Sequence, residues 1–116
     1  MATHLKTSKT VMGKRFKYTG SLEKGISVHF EDSGADWVIP AQIIDVIQNE
    51  IDARSPVLMG ASRKPLVKGS VGESLYRDHG FSPAAMTYAL PLLIESGYCT
   101  ISTTRPYLIS RKTPSE

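Results

Sequence analysis

A single cysteine, Cys99, excludes an internal disulfide and fits a reducing, cytoplasmic setting or a small thiol in a core. No apolar run approaches the roughly 20 residues of a membrane helix. The longest, Ala84 to Ile94, is interrupted by Thr87 and Pro91. The opening residues Met1-Ala-Thr-His-Leu-Lys lack the apolar stretch of a secretory signal. His4, His29 and His79 share no metal-ligand spacing with one another or with Cys99. GxxxxGK[ST] and GxGxxG phosphate-binding runs are absent, and no Ser-His-Asp set stands out. These absences set the expectation of a soluble chain that is not an enzyme, carries no cofactor or metal and does not meet a membrane.

What is present is enough for one domain: 116 residues, 41% of them hydrophobic. The net charge of +3 is unevenly spread. Residues 1–18 carry five bases and no acid, whereas residues 19–52 carry seven acids against Lys24. Residues 53–116 return to eight bases against four acids. Basic ends around an acidic middle imply a polarised surface able to attract a polyanion.

Residues 1–13 read as a flexible basic arm, polar and frayed at least to residue 9. From there Phe16 and Tyr18, then Ile26, Val28 and Phe30, alternate with polar residues, which is the period of half-buried strands. Trp37-Val38-Ile39 adds a third short strand, so residues 14–39 predict a small antiparallel sheet. Pro40 suits a first helical turn, and Ile43, Ile44, Ile47 and Ile51 share one face of a helix over 40–54. A connector over 55–69 holds an extended piece at Leu66-Val67-Lys68, with room for a helical turn around Val57 to Met59. Ser70 and Glu73 form a capping-box pattern, and Gly80 stops that helix. Ser82 and Pro83 open the next helix, which Gly97 ends. Tyr98–Ser102 and Tyr107–Ser110 then alternate as strands about a turn holding Arg105 and Pro106.

Helix, short strand, helix, tight turn, helix, hairpin: over residues 40–112 this order resembles the winged helix-turn-helix superfamily. The likeness rests on Leu66-Val67-Lys68 as first strand, Ser70–His79 as second helix and Gly80-Phe81-Ser82 as turn. Pro83–Ser96 stands as recognition helix, and Leu-Leu-Ile-Glu-Ser-Gly-Tyr-Cys (residues 92–99) as the passage into the wing. It implies an α+β fold, a small sheet preceding a winged-helix core, and a DNA-binding regulator. On a helical wheel Ala84, Thr87, Tyr88, Pro91 and Glu95 fall outside the apolar arc. The resemblance would send Ala84, Thr87 and Tyr88 toward the major groove. The helix holds no Arg, Lys, Asn or Gln, so affinity would come from phosphate contacts by Arg63, Lys64, Lys68, Arg105, Arg111, Lys112 and the basic arm. Pro91, Leu92 and Ile94 widen the apolar arc, which suits either a homodimer seam or cover by the amino-terminal sheet. Docking of a protein partner on that edge and a small-ligand site between sheet and helices are the alternative functions. Gly69-Ser-Val-Gly72 has the GXXG form of the KH RNA-binding fold, but it precedes a helix instead of joining two.

Overall fold

The computed structural model describes residues 5–61 and 65–112. Four strands come first: β1 (Lys6–Lys9), β2 (Arg15–Ser21), β3 (Gly25–His29) and β4 (Asp36–Ile39). Helix α1 (Ala41–Arg54) and the short strand β5 (Val57–Leu58) follow, then helices α2 (Val71–His79) and α3 (Ala85–Glu95). Strands β6 (Cys99–Ile101) and β7 (Leu108–Arg111) come last. The architecture is α+β. The first four strands form an antiparallel meander in chain order, and the other three form a second antiparallel sheet in the order β5-β7-β6. None of the helices is long and apolar enough to cross a membrane among the described residues.

Two strands differ from the expectation. Lys6–Lys9, read as part of a loose arm, pairs with Arg15–Tyr18. Ser8 lies opposite Phe16, and it is the one buried residue of β1. A strand whose inward residue is a serine leaves no apolar alternation to read. The small strand beside α2 is Val57–Leu58, paired with Leu108 and Ile109, and not Leu66-Val67-Lys68. A three-residue apolar run such as Val57-Leu58-Met59 carries no period that separates strand from helix. Residues 67–70 instead form the turn into α2, where the Val67 carbonyl accepts from both the amide (3.2 Å) and the hydroxyl (2.6 Å) of Ser70.

Elsewhere local chemistry explains the elements. The four isoleucines of α1 are all buried. In α2, Ser70 Oγ accepts from the Glu73 amide at 3.0 Å, while Glu73 Oε1 reaches the Gly69 amide at 2.9 Å, one residue earlier than in the strict capping box. Gly80 ends α2 in the left-handed region (φ 65°), and the Phe81 amide closes back on the Leu75 carbonyl at 2.9 Å. The GXXG glycines are structural: a Cβ on Gly72 would stand 1.7 Å from the Gly60 carbonyl oxygen, so glycine lets α2 abut the chain after β5.

Helix α3 starts later than Ser82. The Ala85, Met86 and Thr87 amides bond three residues back, a tighter first turn, and Ser82 Oγ accepts from the Ala84 amide at 3.2 Å. The helix runs through Pro91, which is buried. One apolar core joins Ile26, Val28 and Ile39 of the sheet with Ile44, Ile47, Leu75, Leu90, Leu93 and Ile109.

Candidate nucleic-acid interface

The wheel of α3 left one stripe facing outward, and the fold covers it. Ala84, Thr87 and Tyr88 are half-buried and Pro91 is buried, leaving Glu95 as the exposed member. The Tyr88 ring makes edge contacts with Phe16 (centroids 5.1 Å apart), Phe30 (5.7 Å) and Trp37 (5.9 Å), and Trp37 stacks on Phe81 at 6.0 Å. Ser8 Oγ donates to Glu95 Oε2 at 2.5 Å, fastening β1 to the end of the helix. The expectation that Tyr88 projects into a groove is therefore corrected, because its ring packs on the four-stranded sheet, whereas Ala84 and Thr87 are half-buried. Pro91 and Leu92 are buried within the chain, and Ile94 is half-buried against the core.

The candidate phosphate contacts separate into different environments. Arg63 and Lys64 lie outside the described residues. Lys68 is exposed in the turn before α2, Arg105 is exposed in the β6–β7 turn, and Lys112 is exposed after β7. Arg111 is committed to the fold. Its guanidinium stacks 4.0 Å from the Tyr98 ring centroid, its Nε meets Asp52 Oδ1 at 2.9 Å, and its Nη1 donates to the carbonyls of Tyr98 and Lys112 at 2.7 Å. The Tyr98 hydroxyl in turn lies 2.5 Å from Asp52 Oδ1 and 2.8 Å from the Gln48 carbonyl oxygen, which share its one hydrogen, so this cluster ties the second sheet to α1.

Three cations that sequence reasoning placed only in the acid-free stretch of residues 1–18 acquire definite positions. Lys9, Lys14 and Arg15 flank the β1–β2 turn, which is closed by the Thr10 amide on the Lys14 carbonyl and the Gly13 amide on the Thr10 carbonyl, both 2.8 Å. Met12 at the tip is 70% exposed, and Arg105 Nη2 lies 3.3 Å from its sulfur. The tips of the two hairpins therefore touch. Lys9, Lys14, Arg15 and Arg105 are all exposed, and none has a carboxylate within ion-pair distance among the described residues. Other bases are paired: Lys17 with Glu31 (2.7 Å), Arg54 with Glu50 (2.7 Å) and Arg77 with Glu73 (3.3 Å). The signal for the tip cluster was the acid-free opening of the chain, but nothing local tied it to Arg105.

The described residues bring no three His, Cys, Asp or Glu side chains together as a metal site. His29 Nδ1 meets Asp36 Oδ1 at 2.8 Å on the outer face of the sheet. Burial pushes the Cys99 thiol up to about 11, which keeps it protonated and poorly nucleophilic. Compared with protein-family models, curated proteins and solved structures, the chain matches none.

Proposed function

We propose that this chain is a small winged-helix nucleic-acid-binding protein of regulatory type that grips the phosphate backbone with its hairpin tips. The order α1, β5, α2, α3, β6, β7 and the sheet order β5-β7-β6 support the resemblance, with Gly80-Phe81-Ser82 between the two last helices. The observation that carries the reading is the meeting of the β1–β2 and β6–β7 turns at Met12 and Arg105, beside cations with no acidic partner. With α3 covered, base edges are out of reach of its side chains, and binding is electrostatic and weakly selective.

The test is a titration of a fluorescent 20-base-pair duplex between 50 and 200 mM salt. Four cations neutralising four phosphates give a slope of about −3.6 in log K against log salt. Replacing Lys14, Arg15 and Arg105 together by glutamine reduces the slope by about 2.7, whereas Thr87→Ala leaves it unchanged. No saturable binding at 50 mM salt, or an unaltered slope in the triple variant, overturns the reading. The second reading, a protein-docking module, is favoured by Val38, 62% exposed on the edge strand β4, and it predicts binding to a protein partner that is indifferent to salt.

A further inference from the structure

Beneath the meeting point of the two hairpins lies an apolar cleft of about 560 Å³, within the size range of small-molecule sites. Its walls come from four parts of the chain: Met12 of the β1–β2 turn, Leu58 and Met59 of β5 and its exit, Val67 before α2, and Tyr107 before β7. Met59, 7% exposed, belongs both to the core and to the lining of the cleft. Besides Thr10, whose hydroxyl accepts from the Lys14 amide, two polar side chains at the cleft matter for a ligand. Thr87 of α3, half-buried, lines the cleft, and its hydroxyl bonds no described residue. Arg105 stands at the rim, where Met12 sulfur is its hydrogen-bond neighbour among the described residues and the Tyr107 ring centroid lies 6.0 Å from its guanidinium carbon.

We infer that this cleft binds a small aromatic monocarboxylate. Two thioethers and a phenol ring form polarizable walls, and sulfur against a ring edge favours a flat aromatic body over a branched aliphatic one. A thioether is a weak acceptor, so Arg105 keeps nearly all its donor capacity, and a carboxylate takes two of its N–H groups side by side. The Thr87 hydroxyl supplies a second polar contact. The inference does not rest on nucleic-acid binding, although a carboxylate on Arg105 would compete with a phosphate there.

The experiment uses the full chain alone, labelled with ¹⁵N and titrated with naphthalene-2-carboxylate and with its neutral isostere naphthalene-2-carboxamide. Saturable amide shifts at Met12, Met59, Thr87 and Tyr107 are expected, with the acid bound at least tenfold more tightly than the amide. Arg105→Gln, an exposed change, removes that preference. Val67→Trp, with its dispersed spectrum as proof of folding, abolishes binding of both. Absence of saturable shifts, shifts centred elsewhere, equal affinity for acid and amide, or an unchanged preference in Arg105→Gln overturns the inference.

Discussion

The two sides of α3 are held by different chemistry. One side contributes Met86, Leu90 and Leu93, all without solvent exposure, to the aliphatic core shared with α1 and α2. The other contributes Tyr88 and Glu95, which meet three aromatic rings and Ser8. Aliphatic burial is non-directional and scales with area, so it sets whether the helical half folds. Ring-edge geometry and a charged hydrogen bond are directional, so they set how the sheet sits on the helix.

Leu90→Ala gives the largest effect: a loss of about 2–5 kcal/mol in urea unfolding, felt by the whole chain. Tyr88→Ala costs less, about 2 kcal/mol because the ring is half-buried, and its signature is regional. Amide exchange should accelerate in β1 to β3 while α1 and α2 stay protected, and Tyr88→Phe should be near neutral. If Tyr88→Ala instead loosens all elements equally, the two sides are one cooperative unit and the contrast fails. Ser8→Ala should cost about 1 kcal/mol, since Glu95 can turn to water once its donor is gone.

The last effect lies where α3 passes into β6, at Tyr98 and Cys99, and it shows only in alkali. Burial, followed by the hydrogen bond to Asp52, pushes Tyr98 from 10.0 up to about 12, and burial pushes Cys99 from 9.0 up to about 11. Both groups stay protonated in the folded chain while the unfolded chain releases its protons earlier. Their contribution is therefore complete below pH 9 and declines between pH 9 and 12. Urea midpoints should fall over that window, and Tyr98→Phe should flatten the upper part of the fall. An equal fall in that variant would remove Tyr98 as the cause.

Elements written in local signals were legible in the chain. The isoleucine period of α1, the Ser70–Glu73 cap and the Gly80 stop each act within a few residues, and each is found where expected. Strand β1 was not legible because its inward residue is Ser8, and β5 was not because two residues carry no period. The candidate site fared less well. Tyr88 falls outside the apolar arc of its own helix and reads as a groove contact until the sheet is placed. Arg105 and Arg111 look alike in sequence, yet one stands at a rim and the other is clamped between Asp52 and Tyr98.

Composition and periodicity alone determined that this is a mixed α+β chain with three helices, a closing hairpin and unevenly spread charge. Which helix face is covered, which cations stay unpaired and where a cleft opens were decided by the docking of β1–β4 onto α3. That docking joins residues some 70 positions apart in the chain, as Phe16 and Tyr88 are. Contacts of that reach depend on shape and on which rings and charges meet, and no pattern within one segment encodes them.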